Sequence, residues 1–142
     1  IEIEIGADNI GIVVIFRADG AVKNPAIYHT ESGEFTKVGY SDNDFIMSSG
    51  QYVIINTYTG KKNAYLLDGV TQAEIENHKD NYGVIDWDTV IEKYGTVINE
   101  YLDEDGEFIQ LQDGTNTLTY TADEGTNYLS VSVYYRISYL GV

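Results

Sequence analysis

The sequence predicts an all-β protein, an antiparallel β-sandwich with a short helical insert around residues 71–95. Three observations predict it. Turn dipeptides recur at short intervals, apolar and polar residues alternate in the runs between them, and one stretch breaks this pattern with helical periodicity. Many short strands separated by regular turn signals are typical of sandwiches and barrels.

The turn signals all end in glycine, which adopts the positive-φ positions of tight turns at little cost. They are Asp19-Gly20, Ser32-Gly33, Ser49-Gly50, Thr59-Gly60, Asp68-Gly69, Asp105-Gly106, Asp113-Gly114 and Glu124-Gly125. They divide the chain into segments of strand length.

The last strand has the clearest alternation, and its polar positions are Ser130, Ser132, Tyr134, Arg136 and Ser138. The apolar set between them is Leu129, Val131, Val133, Tyr135, Ile137 and Tyr139. Because neighbouring side chains of a strand point to opposite faces, we expect the apolar set in the core and Tyr134 toward solvent. Ile1, Ile3 and Ile5 alternate with glutamates in the same way and predict a strand with one buried face.

Two apolar runs are continuous, Ile12–Phe16 and Val53–Ile55. Continuous runs are typical of strands that are covered on both faces. The single proline, Pro25, precedes the strand-like Ile27-Tyr28, where its missing N–H does least harm.

Residues 71–95 form the insert. Trp87, Val90, Ile91 and Tyr94 have the i, i+3, i+4, i+7 spacing of one helix face. We expect Asp86 to be the N-cap and Gly95 to follow the helix as its C′ residue. Thr71, followed by Glu74, predicts a second helical turn that opens with a capping box. The insert is too short for a core of its own, so residues 1–142 are expected to be a single domain.

The charge excludes two classes of partner. The net charge is −15, from 8 Lys plus Arg against 23 Asp plus Glu. A nucleic-acid binder needs clustered cations, and an anionic membrane would repel this chain. There is no Cys, and hence no disulfide framework. Ile1–Ile5 resembles neither a signal peptide nor a natural start, so we expect a fragment of a longer polypeptide.

No motif predicts an enzyme, a metal site or a cofactor site. Asp103–Glu107 is expected to be a charged hairpin tip between strand-like residues 97–102 and 108–111, because an EF-hand would need helices there. Ser41–Asp44 is interpreted in the same way. His29 and His78 have no zinc spacing and no Gly-x-Ser-x-Gly partner. Asp86 and Asp88 flank Trp87, but helix capping explains them more simply than glycoside cleavage.

The aromatic residues predict contact surfaces instead. Thirteen Tyr and one Trp suit protein interfaces or sugar stacking, although most are expected to pack in the core. The candidate interaction surface comprises Trp87, Tyr94 and Tyr134.

Several segments share their order and spacing, over about residues 6–142, with one known domain. They are Lys23-Asn24-Pro25-Ala26-Ile27 with Thr30–Gly33, Gly50–Lys61 with its Asn56-Thr57, Phe108–Leu118 with its Gly114-Thr115-Asn116, and the ending Val131–Val142. Together they resemble the C-terminal domain of the siphophage distal tail protein family. Asp113 stands where that family usually has Pro, and His29 stands near a common Asn.

This resemblance implies a galectin-like or jelly-roll-like sandwich in the tail tip of a virion, made in the bacterial cytoplasm and encoded by a phage or prophage. It implies a structural, non-enzymatic domain that holds or orients receptor-binding components, with other tail and baseplate proteins as partners. The family's N-terminal domain forms a hexameric ring, from which residues 1–5 would lead. We expect the fragment alone to be monomeric.

Two other functions stay open. A carbohydrate-binding module of a secreted bacterial or prophage-encoded protein would show exposed aromatic rings along one sheet face, whereas a docking domain would show a polar face. A hydrolase would need a deep cleft with converging carboxylates.

Overall fold

The computed structural model describes residues 1–136. The described chain contains eleven strands and two α-helices, and both helices lie in the predicted insert. The strands are β1 (Glu2–Ile5), β2 (Ile12–Ala18), β3 (Val22–Lys23), β4 (Ala26–His29), β5 (Phe35–Lys37), β6 (Ile46–Met47), β7 (Tyr52–Asn56), β8 (Asn63–Leu67), β9 (Thr96–Val97), β10 (Gly114–Thr121) and β11 (Leu129–Tyr135). The helices are α1 (Gln72–Glu76) and α2 (Trp87–Tyr94), with 3₁₀ turns at Asn99–Tyr101 and Thr126–Tyr128.

The strands form two main antiparallel sheets, which confirms the predicted all-β sandwich. One sheet has the order β1-β10-β4-β5, the other has the order β11-β2-β7-β8-β9, and β3 pairs with β6 in a small third sheet. Apolar side chains of both main sheets meet in one buried cluster. Ile3, Ile27 and Leu118 come from the four-stranded sheet, while Val14 and Ile55 come from the five-stranded sheet.

Two inner strands of the five-stranded sheet, β2 and β7, are buried on both faces, as the continuous apolar runs predict. In β2, Val14 and Phe16 point into the sandwich core, whereas Val13 and Ile15 point to a second cluster on the outer face. In β7, Ile54 belongs to that second cluster as well. The insert therefore forms a third layer over this sheet.

The insert supplies the other half of the second cluster. Ile75 of α1 and Val90 of α2 are buried in it, and Trp87, Ile91 and Tyr94 pack against it, so the predicted helix face is confirmed. Both helices are capped. The Asp86 side chain accepts a hydrogen bond from the Thr89 backbone N–H, and the Thr71 hydroxyl accepts one from Glu74.

One feature of the insert differs from these expectations. Gly95 follows α2 with an extended backbone, φ −81°, so the left-handed C′ conformation typical of that position is absent.

No helix in residues 1–136 is long and apolar enough to span a membrane.

The predicted core face of the last strand is partly wrong. Leu129 is buried, Val131 and Val133 pack against the core at its border, and Tyr134 is exposed as predicted. Tyr135, however, is 41% exposed. It ends an edge strand and pairs only with Ile12, the first residue of β2, so little of the opposite sheet covers it. Ile137 and Tyr139 lie outside the described residues.

The same end effect applies to the first strand. Ile3 and Ile5 are buried as expected, but Ile1 is 50% exposed because it precedes β1 at the edge of its sheet.

The acidic segment Asp103–Glu107 is a turn, but the predicted hairpin around it is wrong. The Gly106 N–H donates to the Asp103 carbonyl at 3.0 Å, which closes the turn. Before it, residues 97–102 contain only the end of β9 and a 3₁₀ turn. After it, Ile109 and Leu111 are buried at alternate positions, yet the segment pairs only through the single bridge Ile10–Leu111. The apolar alternation is satisfied by packing rather than by a ladder.

Candidate functional site

The insert covers only part of the outer face of the five-stranded sheet. It packs on Ile54 of β7 and Leu67 of β8, while the outward residues of β11 stay exposed. Two of those, Ser130 and Ser132, are small, and they lie opposite Arg17 and Ile15 of β2. A cleft therefore opens where the insert ends and these serines begin.

This cleft, called here the Trp87 cleft, has a volume of about 250 Å³. Its floor is apolar and its rim is polar. It is lined by Ile15, Arg17, Tyr52, Gln72, Ile75, Glu76, Ile85, Trp87, Ser130, Ser132 and Tyr134. Ile15, Tyr52 and Ile75 are buried, whereas the hydroxyl, amide and carboxylate side chains at the rim are exposed.

Two predicted interaction residues meet at the cleft. The ring centroids of Trp87 and Tyr134 lie 5.6 Å apart at an interplanar angle of 50°. Trp87 comes from the first turn of α2, and Tyr134 comes from the exposed face of β11. The structure thus joins residues 47 positions apart in the chain (134 − 87 = 47).

Two residues that line this cleft carry buried donors without acceptors. Among the described residues, neither the Trp87 indole Nε1–H nor the Arg17 Nε–H has a hydrogen-bond partner, and both nitrogen atoms are closed to solvent. The Arg17 guanidinium lies 5.9 Å from the centroid of the Tyr52 ring, and its Nη2 atom lies 3.8 Å from Asp19. Buried N–H groups are nearly always satisfied, so these two are exceptions.

Arg17 is a cleft residue that was not predicted, although the sequence contains a signal for it. It is a lone cation at the end of the apolar run Ile12–Phe16, and a charged side chain in a two-sided buried strand needs a local reason. The two serines look like ordinary polar positions of an edge strand.

A second groove of about 460 Å³ shares Ile85, Trp87 and Tyr134 with the cleft. Its carboxylates have structural partners. Asp80 accepts the N–H groups of Tyr82 and Val84, and Asp88 pairs with Lys61 at 3.0 Å. These acids hold loops and helix ends in place.

The third carboxylate of this groove, Asp86, caps α2. Hydrogen bonds from the Thr89 hydroxyl and backbone N–H lower its pKa. A lowered pKa keeps Asp86 ionised at neutral pH, which suits a cap and opposes a role as general acid.

Tyr94 lies apart from the other two predicted residues. It lines neither cavity, and its hydroxyl lies 3.2 Å from His78 Nε2, with the two rings 5.6 Å apart in an edge-on arrangement. His78 therefore ties the loop after α1 to the end of α2.

Three polar residues of the distal-tail-like motifs are buried in the frame of the sandwich, whereas Asn56 lines the second groove. Asn24 is 1% exposed, Thr57 and Asn116 are fully buried, and none of the three lines either cavity. The Thr57 hydroxyl accepts from the Ile12 N–H at 2.8 Å and donates to the Ile12 carbonyl at 3.2 Å. This pairing extends the β2–β7 ladder by one residue.

Asn24 clamps three segments together. Its Nδ2 donates to Asp44 and Asp123, each at 2.8 Å, and its Oδ1 accepts from the Phe45 N–H at 2.7 Å. Gly39 lies so close that an added Cβ would be 1.8 Å from this Oδ1. The motif asparagine thus depends on a glycine fifteen residues later (39 − 24 = 15).

Asn116 plays the same part in the four-stranded sheet. Its Oδ1 accepts from His29 Nε2 at 2.7 Å and from the Gln112 N–H at 2.8 Å. His29 is 1% exposed, and its Nδ1 lies 2.7 Å from the Ser32 hydroxyl, so both ring nitrogens are used. Nearby Asp113, where the family usually has Pro, donates its N–H to Asp8, a contact that Pro could not make.

No family model, curated protein or solved structure matches the chain. The function proposed below therefore depends on the described contacts and on the motif resemblance.

The acidic segments do not converge. Within residues 1–136, no three His, Cys, Asp or Glu side chains are grouped so that they could hold a metal ion. In the turn at Asp103, the carboxylate accepts the Asp105 N–H at 2.9 Å and so stabilises its own loop.

Proposed function

We propose that this chain is a structural docking domain of a phage tail tip, which holds or orients receptor-binding components. The observation that carries the proposal is the burial of three polar motif residues away from both cavities. Asn24, Thr57 and Asn116 join loops and strand ends through several hydrogen bonds each. Motif residues that build the frame are what a shared structural domain requires, whereas shared catalytic residues would line a cavity.

The outer face of the four-stranded sheet supports docking over carbohydrate binding along an open face. It carries Glu2 and Glu4 of β1 beside Thr115 and Thr117 of β10. Its aromatic pair, Tyr28 and Phe35, stacks at 5.5 Å, and both rings are half-buried. A row of exposed rings, which would suit a long glycan, is not present on the described part of this face.

A partner surface is available on the insert. Tyr82 is 91% exposed and Val84 is 50% exposed, at the tip of a loop that Asp80 holds through two hydrogen bonds. A large exposed aromatic on an ordered loop is a typical anchor for a protein interface. We propose that this loop contacts another tail component.

Particle composition tests the docking role. Particles released by the cells that encode the chain are purified on a density gradient and analysed by mass spectrometry. We expect peptides of this chain to co-sediment with tail-tube and baseplate proteins. Recovery only from the soluble secreted fraction would contradict the proposal.

The loop is tested in the same particles. Tyr82→Ala with Val84→Ala should reduce incorporation of receptor-binding components, because the anchor of the interface is removed. Ile46→Ala is the matched control, since Ile46 is 60% exposed on β6, outside the insert. Equal incorporation in both variants would place the partner surface elsewhere.

A further inference from the structure

We propose that the Trp87 cleft binds a single uncharged sugar residue, such as the terminal residue of a glycan. The site lies between the insert and β11. Its lining includes Tyr52, Ser132 and Tyr134 of the motif segments, but not the buried Asn24 or Asn116. It goes beyond the docking role and does not depend on it.

The Arg17 side chain offers donors to a ligand. It lines the cleft and is 44% exposed. A guanidinium carries N–H donors and no acceptor, so a sugar hydroxyl oxygen can accept from it.

The other polar groups suit a ligand that both donates and accepts. Ser130 and Ser132 offer hydroxyls, Gln72 offers an amide, and Glu76 offers an acceptor. Each sugar hydroxyl has one hydrogen and two lone pairs, so neighbouring hydroxyls can use donors and acceptors together. A ligand that carries only acceptors would be repelled by the Glu76 carboxylate, which also only accepts.

The aromatic and apolar walls suit the other side of a sugar. Trp87 and Tyr134 form an angled pair of rings, and Ile15 and Ile75 complete an apolar floor. The C–H face of a pyranose is apolar and packs on such rings while its edge hydroxyls reach the polar rim.

Size and charge narrow the ligand class. A volume of about 250 Å³ lies below the range of roughly 300–1,000 Å³ that is usual for drug-sized ligands, so one sugar residue fits and a longer chain must extend outward. The lining has one cation, Arg17, and one acid, Glu76. With a net charge of −15 on the whole chain, an anionic ligand is disfavoured.

The single Trp makes the test direct. In ¹⁵N-labelled protein, Trp87 gives the only indole N–H signal. That signal is followed while the methyl glycosides of glucose, galactose, N-acetylglucosamine and rhamnose are added singly. We expect one of them to shift it saturably, with a dissociation constant of about 1 mM, as suits a single small ligand. Sodium glucuronate and sodium phosphate are the charged comparisons.

Two variants and a control locate the site. Ser132→Leu fills the cleft from an exposed position, and Arg17→Met removes one donor. Each should weaken binding at least about tenfold. Thr119→Leu, on the exposed face of the other sheet, should bind as the parent does. Dispersed amide spectra establish that each variant is folded.

Three results would overturn the proposal. The first is no saturable shift with any of the four glycosides, which means that the cleft holds only water. The second is a shift with phosphate or glucuronate alone. The third is undiminished sugar binding by Ser132→Leu. None of these bears on whether the chain is found in tail particles.

Discussion

At the residue scale, buried amides connect loops that the sheets do not join. Asn24 is the clearest case, because its side chain reaches Asp44, Phe45 and Asp123 while its backbone holds a left-handed conformation with φ 54°. Asparagine tolerates this conformation better than most residues. Conformation and hydrogen bonding therefore select the same residue type.

Asn24→Ala should lower the free energy of unfolding by about 3 kcal/mol, since it leaves the buried Phe45 N–H without a partner and adds left-handed strain. Urea denaturation measures the loss. Asn9→Ala is the matched control, because Asn9 is also left-handed, with φ 58°, but exposed. It should lose about 1 kcal/mol from strain alone. Equal losses would show that the Asn24 hydrogen bonds contribute nothing.

Asp123 gives this clamp a pH dependence. The hydrogen bond from Asn24, followed by that from Lys37, lowers its pKa. A carboxyl group whose pKa is lowered by folding stabilises the protein above its ordinary pKa, and this contribution disappears as the pH falls through the lowered value. Asp123→Asn should thus be less stable than the parent at neutral pH, and the difference should shrink below about pH 4.

Denaturation at several pH values checks this. Lys37→Met removes the hydrogen bond and the charge of Lys37 but keeps the hydrogen bond from Asn24, so it should lose part of the same dependence. A difference between parent and Asp123→Asn that stays constant from neutral to acid pH would contradict the assignment.

The sequence could predict some residue-level roles and not others. Thr71 and Asp86 could be predicted from local spacing, because their partners lie within a few positions. Six of the eight predicted turn glycines have positive φ, whereas Gly20 and Gly106 do not. The partner of His29 is Asn116, 87 positions away, and no local pattern reports such a pair. For the same reason, no local pattern shows that Arg17 and Trp87 line one cleft.

At the element scale, the insert is a cover for the sheet. Val90 of α2 is fully buried against the outer face of the five-stranded sheet. Val90→Ala should lower the free energy of unfolding by about 2 kcal/mol, since it removes two methyl groups from a packed site. Val84→Ala removes the same groups from a side chain that is 50% exposed and should change stability by less than about 0.5 kcal/mol.

Thermal or urea denaturation of both valine variants decides the point. If Val90→Ala were as mild as Val84→Ala, α2 would be a loosely attached surface helix rather than part of a core.

The type of an element, strand or helix, could be predicted from sequence where a single physical cause determines it. The runs in β2 and β7 predicted strands buried on both faces, and the spacing from Trp87 to Tyr94 predicted α2. The strands predicted in residues 97–111 are wrong because apolar alternation indicates that alternate side chains are buried. It does not indicate that the backbone pairs with another strand. Ile109 and Leu111 are buried without a ladder, and the alternation could not distinguish the two cases.

At the scale of the whole molecule, we expect this chain to be monomeric. Two copies with a charge of −15 repel each other, and only a sizeable apolar patch would overcome this. The most exposed apolar side chains are dispersed, with Ile46 on β6, Tyr82 in the insert and Val97 on β9.

Light scattering at moderate salt, over a range of protein concentrations, measures the oligomeric state. A monomer is the expected result. A hexamer that persists on dilution would mean that a ring-forming surface lies within this chain.

Strands β2 and β7 belong to both hydrophobic clusters, and this sharing makes the three layers one cooperative unit. Detaching the insert would bare Val13, Ile15 and Ile54, so the sheet could not lose its cover and remain stable. Amide hydrogens of β2 and β7 should therefore exchange with solvent only through global unfolding, whereas those of the loop around Tyr82 exchange by local opening. A molecule held by the insert would then raise the melting temperature of the entire sandwich.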